Sequence, residues 1–204
     1  MGFELFGVAS LPERNGAPLA AQTLTIPVRD LAAIVRQVPY APVRQIEGEI
    51  ANYERVVEAV FTQHTILPAP FGVVFRSVDQ VSRWLQMHYI ALTEGMHLIE
   101  GRCEARVHVM QAVVAEGEAP DPEADLSAAA GELFRSLRRQ AAASVMLRRF
   151  NPELTLSCAF LVDRARWDDF AELVATQARR HDGLRLEHTG PWPPYDFVRM
   201  DLGV

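Results

Sequence analysis

The sequence predicts an α+β protein made of two small α+β units. Three observations carry that expectation: short runs with apolar residues at every second position, longer runs with helical spacing, and a break at Gly101 where a helical stripe ends and an alternating strand begins. With 204 residues, 49% hydrophobic and 23% charged, the chain has enough apolar material for one large core or two small ones. We place the boundary at Gly101, which gives an N-terminal unit over 1–101 and a C-terminal unit over 102–204. No internal self-similarity marks the halves as repeats.

Phe3 to Ala9 is apolar on both faces apart from Glu4, the pattern of a central strand, and Leu11 to Ala21 reads as a loop. Thr23 to Val28 is a second strand. Asp30 to Val38 fits a helix through Leu31, Ile34, Val35 and Val38, or a strand stopped by Pro39, and we favour the strand. Ile46, Ile50, Tyr53, Val57, Val60, Phe61 and His64 recur at helical spacing with Asn52, Glu54, Arg55 and Glu58 opposite, so an amphipathic helix is expected. Phe71 to Phe75 is expected as a short buried strand, and Ser77 as the cap of the next helix. Val78, Val81, Leu85, His88, Leu92, Met96 and Ile99 give one apolar stripe, read as a single helix ending before Gly101.

In the second half Cys103, Ala105, Val107, Val109 and Val113 alternate with Glu104, Arg106 and His108, as in a strand buried on one face. Gly117 to Asp125, rich in Pro, Glu and Asp, reads as an exposed loop. Leu126, Ala130, Leu133, Phe134, Leu137, Ala141 and Val145 mark a helix ended by Asn151-Pro152. Leu154 to Val162 alternates as a strand, and the helix after it carries Trp167, Phe170, Val174 and Ala178. Leu184 to Thr189 and Tyr195 to Met200 are expected as the last two strands. The order β-α-β-α-β-β, with two helices on one face of an antiparallel sheet, makes a modified ferredoxin-like unit.

Composition narrows the chemistry. A formal net charge of −6 gives no long-range attraction for phosphate backbones or anionic lipid, so neither nucleic acid nor membrane is expected as a partner. No apolar run approaches the ~18 residues that span a bilayer, and Met1 to Leu5 lacks the features of a secretory signal, so the expected location is the cytoplasm. All 20 basic residues are arginine, which removes Schiff-base and P-loop lysine chemistry. The six histidines never recur at metal-ligand spacing, and Gly-x-Ser-x-Gly elbows, Walker loops and dinucleotide fingerprints do not occur. Cys103 and Cys158 sit at inward strand positions, where a thiol acts as a small hydrophobe. No catalytic residue, cofactor or metal is therefore predicted. Arg135, Arg138 and Arg139, with Arg148 and Arg149 further on, read as a basic stripe: a solvated face, or a docking strip for an acidic partner.

The segment Gly190-Pro191-Trp192-Pro193-Pro194-Tyr195-Asp196-Phe197 sets three prolines around two large aromatics. Proline fixes φ and removes a donor, so helix and central strand are both barred, and Trp192 with Pro193 is expected in a polyproline-like corner. That corner either plugs a core with Trp192 and Tyr195 or presents a rigid aromatic platform.

These residues resemble the C-terminal signature of the gas vesicle GvpL/GvpF family, accessory proteins of gas-filled, protein-walled buoyancy organelles. Thr65 to Phe75, Thr-Ile-Leu-Pro-Ala-Pro-Phe-Gly-Val-Val-Phe, is similar to the family's Leu-Pro-x-Arg-Phe-Gly segment, and Glu100 to Val107 to its Gly-x-x-Glu entry into a strand. The chain departs from the pattern at Pro70, where arginine is usual, and at Tyr53, where histidine is frequent. The resemblance implies a non-enzymatic accessory or minor structural protein of gas vesicle assembly. Its partners would be the apolar vesicle wall protein and other accessory proteins. The expected contact residues are Pro68, Phe71, Gly72, Gly190, Pro191, Trp192, Pro193, Pro194 and Tyr195, with an apolar groove between the two units. The alternative is a small-molecule-binding enzyme or sensor on a ferredoxin-like scaffold.

Overall fold

The structure, a computed structural model, describes residues 1–11, 18–111, 122–149, 151, 154–181, 183–198 and 200, with the main chain alone at 122–127. Contacts group the chain into two compact units, Met1–Glu100 with Pro193–Val204, and Gly101–Trp192. Residues 102–204, expected as one unit, do not group together. The terminal segment instead joins the first unit, where Tyr195 meets Tyr53 with ring centroids 6.4 Å apart.

The first unit is an antiparallel sheet around β1 (Gly2–Ser10), whose burial on both faces follows from its nearly unbroken apolar run. β3 (Leu31–Val38) pairs with one side of β1, and the edge strand β2 (Leu24–Val28) pairs with β3. On the other side β1 pairs with β4 (Ile66–Pro68) and then with β5 (Val74–Phe75). Phe71–Phe75 is therefore not one strand. Ala69 to Val73 leaves the sheet between β4 and β5, because Pro70 cannot donate and Gly72 turns the chain back at φ +82°. Helix α1 (Glu47–Phe61) packs on β1 and β4 through Tyr53, Val57 and Val60.

The stripe from Val78 to Ile99 is two helices, α2 (Val78–Met87) and α3 (Tyr89–Ile99). They break at His88, whose ψ of 9° ends the first turn pattern. Ser77 caps α2 as expected, its Oγ accepting from the Gln80 N–H at 3.2 Å.

The second unit runs β-α-β-β-α-β. Its elements are β6 (Arg102–Gln111), α4 (Pro122–Arg138), β7 (Ala143–Met146), β8 (Leu154–Asp163), α5 (Trp167–Arg180) and β9 (Leu184–Trp192). The sheet order β7-β8-β6-β9 is antiparallel throughout, with the ferredoxin-like order of elements. The core joins Val107, Val109, Leu133, Leu137, Cys158, Phe160, Phe170 and Val174. Phe160 lies at its centre, with ring centroids 5.9 Å from Phe134 and 5.5 Å from Phe170.

The fourth helix stops at Arg138, and Ala143 to Met146 forms strand β7. Ala141 and Val145 fit both periods, and pairing with β8 decides for the strand. Arg148 and Arg149 follow β7 and so do not prolong the basic stripe of α4. Finally, no strand occupies 195–200 among the described residues; β9 itself continues through Gly190-Pro191 to Trp192. Pro191 is tolerated because β9 is an edge strand, and Gly190-Pro191 bulges opposite Ala105. The loop expected over 117–125 lies outside the described residues up to Asp121, and from Pro122 the chain is helical.

His188 of β9 is sandwiched between Trp167 and Phe170, with centroids 5.0 and 5.9 Å away, and its buried Nε2 has no hydrogen-bond partner among the described residues. Burial pushes its pKa below the ordinary 6.5. The unfolded chain then takes up the proton first, so this contribution to stability is present above pH 6.5 and is lost as pH falls below it. Urea melts across a pH series are expected to show an acid-side loss that His188→Phe removes; an unchanged pH profile in that variant would refute the assignment.

Candidate functional site

The segments expected to carry contacts from 65–75 and 193–197 meet on one side chain. Tyr53 lies on the buried face of α1 and is 7% exposed. Its ring stacks on Phe6 of β1 at 6.0 Å, receives Phe71 edge-on at 5.7 Å with an interplanar angle of 88°, and meets Tyr195. Its hydroxyl donates to the carbonyl of Ala69, the first residue of the excursion. The ends of that excursion are clipped to β1: the Ala69 N–H donates to the Phe6 carbonyl at 2.9 Å, and the Leu5 N–H donates to the Val73 carbonyl at 2.8 Å. Burial, with Glu54 and Glu4 adding negative charge, pushes the Tyr53 phenol far above its ordinary pKa, so it stays a donor.

Beside this cluster, Glu4 is 1% exposed and paired across the sheet with Arg36, whose Nη2 lies 2.6 Å from Glu4 Oε2 and 2.8 Å from Glu49 Oε2. Burial alone lowers the pKa of Arg36, and the hydrogen bonds it donates to Glu49 and Glu4, with their negative charges, outweigh that and raise it. The guanidinium also lies over Phe6, 5.7 Å from the ring centroid. A lone glutamate inside an otherwise apolar strand needs such a partner, and that was the signal in the sequence for a cation on the neighbouring strand.

The predicted contact residues divide between the units. Pro68 is buried in β4 opposite Gly7, Phe71 is half-buried, and Gly72 makes the turn. Pro193 and Pro194 are buried and Tyr195 is half-buried, all in the first unit. Gly190, Pro191 and Trp192 belong to the sheet of the second unit. Gly190 holds φ +128°, and a Cβ there would come within 2.7 Å of both the Glu104 carbonyl and the Trp167 ring. Trp192 is half-buried and donates from Nε1 to Thr189 Oγ1 at 3.1 Å, while Pro191 faces solvent.

Two apolar residues off the helix stripes escaped the sequence reading. Met87 and Ile90, on either side of the α2–α3 break, are 75% and 74% exposed. Their lack of stripe register was the available clue. The buried thiols, by contrast, are pushed up by desolvation, Cys103 to about 11 and Cys158 to about 12, so both remain protonated and unreactive near neutrality.

Comparison with known proteins supplies a lineage. The profile described as gas vesicle synthesis protein GvpL/GvpF matches residues 5–125 and 119–199. Gas vesicle protein F1 of Halobacterium salinarum is 24% identical over 193 residues, covering 93% of this chain and 87% of that protein. Gas vesicle protein L of a Streptomyces species is 25% identical over 228 residues, covering 94% of this chain and 85% of that protein. The crystal structure of GvpF from an Anabaena species superposes with a TM-score of 0.83 at 17% identity, over 98% of this chain and 97% of that one. GvpF from Microcystis aeruginosa gives 0.79 at 15% identity, over 98% and 99%.

Tyr53→Phe keeps the ring contacts but leaves the Ala69 carbonyl without its donor, so we expect a loss of about 1–2 kcal/mol in urea unfolding. A change near zero would mean that the hydroxyl does not hold the excursion.

Proposed function

The chain belongs to the GvpL/GvpF family of gas vesicle synthesis proteins and so serves gas vesicle formation, and we propose that it does so by binding rather than by chemistry. In this reading it is an accessory or minor structural protein that covers the apolar vesicle wall protein, and meets other accessory proteins, during nucleation or assembly in the cytoplasm. A wall protein exposed before it polymerises is prone to aggregate, and a folded partner with apolar contacts of its own lowers that hazard.

The observation that carries the reading is the pair Met87 and Ile90, three-quarters exposed on consecutive helices with no charged residue between them. Burying two such side chains against a partner is worth on the order of 3–6 kcal/mol before the costs of association. The solvent-facing part of the proline-rich segment, Pro191 with half-buried Trp192, supports a second contact on the other unit. Phe71 and Tyr195, held on Tyr53, support the first unit's share. No helix among the described residues is long and apolar enough to cross a membrane.

The test is capture of the wall protein by immobilised wild type, by Met87→Asp with Ile90→Asp, and by Trp192→Ala, each checked for folding by circular dichroism. Each variant is expected to capture several-fold less. Undiminished capture by both would remove these surfaces from the interface, and an unchanged vesicle number after deletion of the gene would overturn the role itself.

A further inference from the structure

The helices of the second unit carry a concentration of positive charge that the reading above does not use. Between α4 and α5 lies a cleft of about 410 Å³. Arg135 of α4, Arg139 just beyond it, Arg180 at the end of α5 and His181 line it. Among the described residues none of the three arginines makes an ion pair. Cations near a helix C-terminus are favoured by its dipole, which accounts for Arg180 and His181 one at a time. It does not account for three arginines lining one concavity, with Glu132 the carboxylate among its lining residues. Like charges gathered this way repel until an anion arrives.

A second observation points to the same place. Gln177 lines the cleft and is 5% exposed, yet its side-chain amide has no hydrogen-bond partner among the described residues. A carboxamide sets an acceptor oxygen beside an NH2 donor, so Gln177 can pair with both the N–H and the C=O of a peptide link.

We propose that the α4–α5 cleft binds an acidic peptide segment of a partner protein, with carboxylates on the arginine forks and peptide groups against Gln177 and Glu132. Guanidinium forks match carboxylates bidentately. Glu132 can accept from a peptide N–H, a donor that a phosphate group does not offer. This inference stands on the cleft alone and does not depend on the wall-protein reading.

The experiment is fluorescence anisotropy of the full chain with a labelled peptide of alternating Glu and Gly, against a Gln-Gly peptide, with ATP and a single-stranded oligonucleotide as competitors. Arg135→Gln with Arg139→Gln and Arg180→Gln is expected to weaken binding by about tenfold or more, and Gln177→Leu by about threefold. Arg83→Gln with Arg148→Gln and Arg185→Gln removes the same charge outside the cleft and is expected to change affinity by less than about twofold. All variants should keep the wild-type melting transition. Equal weakening in the outside variant, equal binding of the Gln-Gly peptide, no saturable binding, or displacement by ATP or oligonucleotide at lower concentration than by unlabelled Glu-Gly peptide would each overturn the proposal.

Discussion

The first unit depends on a single demand: β1, buried on both faces, must have its backbone groups partnered along both edges. On one side β3 meets it almost end to end. On the other, the chain supplies β4 and β5 with an excursion between them, so the pairing is interrupted where Pro70 and Gly72 leave the sheet. Tyr53 closes that interruption. Its hydroxyl satisfies the Ala69 carbonyl and its ring fills the space under Phe71, while Tyr195 brings in the terminal segment. Aromatic pairs are worth roughly 0.5–1.5 kcal/mol each beyond their burial, and a dry carbonyl left unpartnered costs roughly 1–3 kcal/mol. One side chain therefore secures two segments that lie far apart in the chain.

Much of this was legible from periodicity alone. The apolar run of β1, the stripe of α1 through Tyr53, Val57 and Val60, the alternation of β6 and β8, and the Ser77 cap all stand where local rules put them. Local rules fell short where pairing across the sheet decided the outcome. Ala143 to Met146 reads equally well as the tail of a helix until β8 offers it an edge, and Gly190-Pro191 reads as a corner until β6 accepts a bulged edge strand. The helical stripe across His88 gave no sign of a break, because α2 and α3 keep their buried residues nearly in register across it.

The candidate site was legible in its parts and not in its assembly. The proline-rich octapeptide and the Pro-x-Phe-Gly segment stood out as residues, but their meeting on Tyr53 is a tertiary contact with no spacing signature. Tyr53 stands where the family pattern frequently has histidine. The structure shows what the tyrosine does in this chain: a phenol kept protonated by burial donates to a carbonyl, stacks on Phe6 and meets the rings of Phe71 and Tyr195. The exposed Met87 and Ile90 and the arginines facing the α4–α5 cleft give the two units surfaces of contrasting chemistry, one apolar and one cationic.

Amide hydrogen exchange in wild type and Tyr53→Ala tests most directly whether one residue secures both segments. The account predicts that protection falls together in 66–75 and in 193–198, while β6 and β8 of the second unit exchange as before. Loss of protection in 66–75 with 193–198 exchanging as in wild type would contradict it.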